Sequence, residues 1–162
     1  MSSANDPVRG FLRHTVATVA YRGGKAVRGA PASFAGYRSG ETTRVPEKIL
    51  AHIGDLFDWG LAMARGKSAW HDSKPLEWSK EVERFFATIK AFDDYLASDE
   101  PLHVTPAKLF QGPVADALNH VGQLAMLRRL AGAPIRGENY YAAEIAAGRV
   151  GAEQAAAKAE FD

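Results

Sequence analysis

The chain contains no cysteine among its 162 residues. That absence excludes a disulfide framework, Cys-ligated zinc, an iron–sulfur cluster held by the protein's own thiolates and a cysteine nucleophile, and leaves any metal to histidine and carboxylates. Neither charge sign is in excess: 20 Lys+Arg stand against 19 Asp+Glu, a formal net charge of +1. So balanced a chain produces no broad field for nucleic acid or an anionic membrane, and neither is expected as a partner. No stretch approaches the roughly 18 consecutive apolar residues of a membrane span. The start, Met1-Ser2-Ser3-Ala4-Asn5-Asp6-Pro7, also lacks the basic opening and apolar run of a signal peptide, so a cytoplasmic protein is expected. One domain of this length buries about 70% of the unfolded chain's surface, enough for a core without disulfides or a structural metal.

What the sequence does have is helical periodicity. Four segments repeat apolar residues at intervals of three and four, and none alternates like a strand, which gives an all-α class. The first helix opens at Asp6-Pro7, a capping carboxylate followed by a proline suited to the first helical position. Its stripe is Val8, Phe11, Leu12, Val16 and Val19, weakening at Gly23-Gly24 before a long connection from Gly29 to Gly40. The second helix starts near Pro46, turns Ile49, Ile53, Leu56 and Met63 inward, and ends at Arg65-Gly66. The third runs from about Leu76 to Leu96, with Trp78, Val82, Phe85, Phe86, Ile89, Phe92 and Leu96 on one side. A helical turn is expected at Thr105-Pro106, and a fourth long helix from Pro113 to Ala131, with Gly132 as a left-handed cap. Four amphipathic helices in one small domain satisfy one another best as a bundle, here over about residues 6–132, with a tail over 133–162. The tail is expected to hold a short helix around Tyr141 to Ala147 and to cover one mouth of the bundle or meet a second subunit.

On the fourth helix Asp116 precedes His120 by one turn, so both side chains project from the same face. That face is also apolar, and an ionised Asp116 buried there requires a cation or hydrogen bonds. His52, beside Ile49, Ile53 and Leu56, is the natural third ligand, because bundles build metal sites between facing helices. An Asp–His pair in the core, with His52 bonded to a carbonyl or water, is the alternative reading of the same residues. His14, His71 and His103 have no ionisable partner at ligand spacing and read as surface histidines.

The stretch His120-Val121-Gly122-Gln123-Leu124, in a helix ending Leu127-Arg128-Arg129-Leu130-Ala131-Gly132, resembles the H-x-G-Q signature of the DinB/YfiT-like proteins. The second helix, His52-Ile53-Gly54-Asp55-Leu56-Phe57-Asp58-Trp59, is similar to that family's first ligand helix, and the resemblance runs from about Pro7 to Gly132. It implies a DinB/YfiT-like four-helix bundle, commonly paired as a homodimer, with a divalent metal (Zn, Ni or Fe) at His52, Asp116 and His120. The family's usual three-histidine set departs here at Asp116. A carboxylate beside two imidazoles lowers the net charge of the centre and acidifies a bound water less.

The resemblance further implies a metal-dependent S-transferase or isomerase that uses bacillithiol, mycothiol or a related low-molecular-weight thiol against a small electrophile, and damage-inducible, stress-linked expression. The alternatives are a metal-activated water acting on an ester or amide, with Glu138 or Glu144 as the candidate base, and a module that binds a metal or small ligand without turnover. Trp70, His71, Tyr140 and Tyr141 are candidate pocket walls, with loop packing as their other use. Arg128, Arg129 and Arg136 are candidate carboxylate receptors, or simple helix C-terminal charges. Gln123, one turn from His120, is a candidate for steadying the site or binding a ligand.

Overall fold

A computed structural model describes residues 6–161. Residues 1–5, most of the start read above for a signal peptide, and residue 162 lie outside the described residues. The all-α expectation holds in its coarse form, since among the described residues the only strands are a two-residue antiparallel pair. The long helices are α1 (Pro7–Val27), α2 (Pro46–Ala64) and α3 (Trp78–Ala97); a one-turn α4 (Pro106–Leu109) leads into α5 (Ala115–Leu130). In the tail, β1 (Gly137–Glu138) pairs with β2 (Glu160–Phe161). Among the described residues, no helix is long and apolar enough to cross a membrane.

The helices make a square with a diagonal chain path. α1 packs on α3 and α5, and α2 packs on the same two, whereas α1 and α2 make at most marginal contact. Residues 28–45 therefore carry the chain across one end, with Phe34 buried beneath Trp78, whose ring it meets edge-on at 5.6 Å. The core between the helices contains Leu12, Val16, Ile49, Ile53, Phe57, Phe85, Ile89, Phe92, Val121 and Leu124. Two buried arginines satisfy free carbonyls at helix ends: Arg9 donates to those of Leu96, Ser98 and Glu100, and Arg128 to those of Ala26, Arg28 and Ala133.

Several boundaries match the sequence reading. Asp6 caps α1 by accepting from the Val8 N–H, Pro7 and Pro46 open their helices, and Gly66 and Gly132 take positive φ just past helix ends. Other expectations need correction. Val8 and Phe11 are exposed, because α1 buries Leu12, Val16 and Val19 on a narrower arc. Gly23 does not weaken α1: a Cβ there would lie 2.5 Å from the Phe85 ring, so the bare backbone is what lets α3 approach. Where a helix was expected around Tyr141 to Ala147 the tail has a 3₁₀ turn at Tyr140–Ala142, since a short segment cannot meet the cost of helix nucleation without burying a face.

The fourth helix is also longer than its apolar pattern suggests. It begins at Pro106 and reaches Leu130 through a π turn at Phe110–Val114. Pro113 lies inside that turn. Proline brings no N–H and its ring crowds the carbonyl four residues back, and the wider π winding accommodates both. The ring packs on α2 at Gly60, where a Cβ would sit 3.1 Å from Pro113 Cγ.

Candidate metal centre

The structure brings His52, Asp116 and His120 together. His52 comes from the middle of α2 and the other two from the first turns of α5, the adjacent helix. His52 Nε2 lies 3.5 Å from one carboxylate oxygen of Asp116, and His120 Nε2 lies 3.4 Å from the other. One donor atom from each of the three residues falls within 4.8 Å of the others. Ligands bound at 2.0–2.1 Å in a tetrahedron are about 3.3 Å apart, so both carboxylate–imidazole distances suit a shared ion. The two imidazoles meet edge to face, with centroids 4.7 Å apart.

The next layer sets the His120 tautomer. Its Nδ1 is 3.0 Å from the side-chain oxygen of Gln123, so the Nδ1–H donates there and the Nε2 lone pair faces Asp116. Two lone-pair bearers directed at one point repel each other unless a proton or a cation lies between them. The side chain of Asp116 is 43% exposed, against 11% for His120 and 20% for His52. This corrects the expectation that Asp116 is buried on the apolar face: it sits at the rim, where solvation makes its charge cheap, and the case for a metal rests on donor geometry instead. Trp70 completes the wall, its ring 5.5 Å from that of His52 and 5.7 Å from that of Trp59.

A second group of ligand-type residues, Asp55 and Asp58 further along α2 with His71 of the loop that follows it, was not foreseen. His71, read from sequence as lacking an ionisable partner, has Nδ1 3.5 Å from Asp55 and Nε2 3.4 Å from Asp58. Here a protein cation already occupies the centre. Arg84 Nη2 lies 2.5 Å from the Asp55 oxygen and 3.0 Å from the Asp58 oxygen that face His71. The Ser73 N–H and hydroxyl also donate to Asp55. Burial alone would raise the Asp55 pKa, but these bonds from Ser73 and Arg84 outweigh it and hold the carboxyl below its ordinary value. The i,i+3 pair of Asp55 and Asp58 was the available sequence signal; its cation on another helix was not legible.

Comparisons with protein families, with characterised proteins and with solved structures find no match. The remaining candidates separate cleanly. Glu138 is no solvated base: it is buried, accepting from the Tyr21 hydroxyl at 2.6 Å and from Lys25 at 2.7 Å. Glu144 is exposed and paired with Lys158. Arg128 spends its donors on backbone carbonyls, Tyr140 lies beneath the Arg22 guanidinium, and Tyr141 is almost fully exposed. Of the four aromatic or His wall candidates, Trp70 alone contacts the centre.

Proposed function

We propose that the chain is a DinB/YfiT-like metalloprotein that holds one divalent ion through His52, Asp116 and His120 and uses it on a low-molecular-weight thiol in an S-transfer reaction. One observation carries the metal reading. Three donor atoms from two helices converge with no cation of the described residues paired to them, whereas the neighbouring group of the same residue types is neutralised by Arg84. The order of the four helices, and the H-x-G-Q stretch whose Gln123 contacts His120, support the family assignment.

When bound, a divalent ion supplies a Lewis acid that holds a coordinated thiol as the nucleophilic thiolate. The rest is the work of side chains. Gln123 orients His120, Asp116 offsets part of the cationic charge, and three protein ligands leave a coordination position for an exogenous donor. The thiol reading is preferred over a hydrolase because Glu138 and Glu144, the candidate bases, are tied up at the tail by Tyr21, Lys25 and Lys158. Zn, Ni and Fe all suit two imidazoles and a carboxylate. The same resemblance proposes a cytoplasmic homodimer.

Elemental analysis of untagged protein tests the site. Near-equimolar metal is expected in the wild type and in His14→Ala, and none in His120→Ala; metal retained in the last variant overturns the ligand set. Conjugation of a model electrophile should then need both metal and thiol, and turnover with water alone favours a hydrolase.

A further inference from the structure

The cavity beside His52 concentrates positive charge in a chain that has almost none to spare. It has a volume of about 480 Å³, within the range of small-ligand sites, and is lined in part by Arg44, Lys48, Lys74, His52 and Trp70. Among the described residues, the charged ends of Arg44, Lys48 and Lys74 have no hydrogen-bond or ion-pair partner. Two carboxylates share the lining. Asp55 is taken by Arg84 and Ser73, so only Asp72 stands against the three cations. Other cations of the protein do have carboxylate partners, as with Arg13 on Asp93, Lys25 on Glu138 and Lys90 on Asp94.

The fold fixes where that charge sits relative to the centre. Lys48 is four residues before His52 on α2, hence on the same face and about 6 Å away along the axis. Arg44 immediately precedes the Val45 cap of α2. Lys74 hangs from the connection over residues 65–77, whose Ser73 is bonded to Asp55. The cations therefore arrive from one helix turn, its approach and a pinned loop, all on the open side of His52.

We propose that this cavity is an anion subsite: the ligand whose donor atom reaches His52, Asp116 and His120 carries a carboxylate or phosphate about one helical turn, ~5 Å, from that atom. The inference rests on the metal reading for the position of the donor atom, but the cationic wall stands on its own residues. With two imidazoles and Asp116 around a divalent ion, a thiolate brings the centre to neutrality, so a second anionic group is attracted by the cavity and not by residual charge at the centre.

The test uses the full chain loaded with Co(II) and titrated with 3-mercaptopropionate, 2-mercaptoethanol and 2-aminoethanethiol, followed by the thiolate-to-cobalt absorption band. The anionic thiol is expected to bind roughly tenfold tighter than the neutral one at low salt, an advantage that shrinks as salt rises. In the triple variant Arg44→Gln/Lys48→Gln/Lys74→Gln, the advantage should fall below about threefold while Co(II) affinity and neutral-thiol affinity stay unchanged. An undiminished advantage in the variant means the carboxylate merely chelates the cobalt, and overturns the subsite. So does the absence of any advantage in the wild type. Failure to bind Co(II) sinks the metal reading instead. The subsite is then judged on metal-free protein, where thermal stabilisation by succinate or by inorganic phosphate must be lost in the triple variant; the more effective of the two identifies the anion, and no stabilisation by either overturns the proposal.

Discussion

His120 Nδ1 lies 3.0 Å from the side-chain oxygen of Gln123, one turn along the same helix, so an exposed glutamine fixes which imidazole nitrogen is left to face Asp116 and His52. Removing that acceptor frees the ring to rotate and to change tautomer. Gln123→Ala is expected to weaken divalent-metal affinity by roughly tenfold, the lower end for loss of a ligand's outer partner. Competition with a chromophoric chelator measures it, and unchanged thermal unfolding of the metal-free protein separates this from damage to the fold.

Arg84 reaches Asp55 and Asp58 across the bare backbone of Gly54, where a Cβ would sit 2.8 Å from its Nη1. Arg84→Met leaves Asp55, 3% exposed, without its cation and should cost about 3 kcal/mol in urea unfolding at neutral pH. Gly54→Ala should cost a similar or smaller amount by displacing the guanidinium. A loss below about 0.5 kcal/mol in Arg84→Met would show that the network contributes little to stability.

The same contacts set an acid limit. Asp55 titrates below its ordinary value in the folded chain, so its stabilising contribution is complete above the unfolded value, near 4, and disappears as pH falls through the lower folded value. Wild-type protein should lose stability more steeply than Arg84→Met as pH drops from about 5 to 3. Parallel curves for the two proteins would contradict that sign.

At the opposite end, burial, followed by its bond to Glu138, pushes the Tyr21 hydroxyl well above the ordinary tyrosine pKa. A raised folded value means the contribution is whole below the unfolded pKa of about 10 and is lost as pH climbs beyond it. Tyr21→Phe should cost about 1–2 kcal/mol at pH 7, because Glu138 keeps Lys25 but loses one donor, and should soften the alkaline decline. Chemical unfolding at pH 7 and 11 reads both effects.

Trp70, set edge-on against His52, is placed to report occupancy. Binding of a paramagnetic ion such as Co(II) should quench intrinsic fluorescence, and Trp70→Phe should remove the larger part of that quench while leaving Trp59 and Trp78 emitting. Quenching that survives intact in the variant would mean the ion binds elsewhere.

Much of this was legible in the residues, for identifiable reasons. His52 and the Asp116/His120 pair could be picked out because helical spacing fixes which side chains share a face. The juxtaposition of α2 with α5 was only inferred, and periodicity does not encode it. Partners that come from another helix or from a loop were missed altogether: Arg84 and His71 around Asp55, and Tyr21 beneath Glu138, depend on tertiary packing. Exposure at an edge is equally opaque. Val8 and Phe11 extend the apolar stripe of α1 but project beyond what α3 and α5 cover, and Asp116 lies on an apolar face yet reaches water.

The π turn at Phe110–Val114 acts as a phase setting for the centre. An α-helix advances 100° per residue, so one extra residue held in a wide turn rotates everything after it by about that angle relative to α4, which Leu109 anchors in the core. Deleting a single residue there would leave the composition of the helix almost untouched and turn Asp116 and His120 away from His52. Insertions and deletions in this turn therefore weigh more heavily on the centre than conservative substitutions elsewhere on α5, and length between Leu109 and Asp116 is the quantity to preserve when the helix is re-engineered.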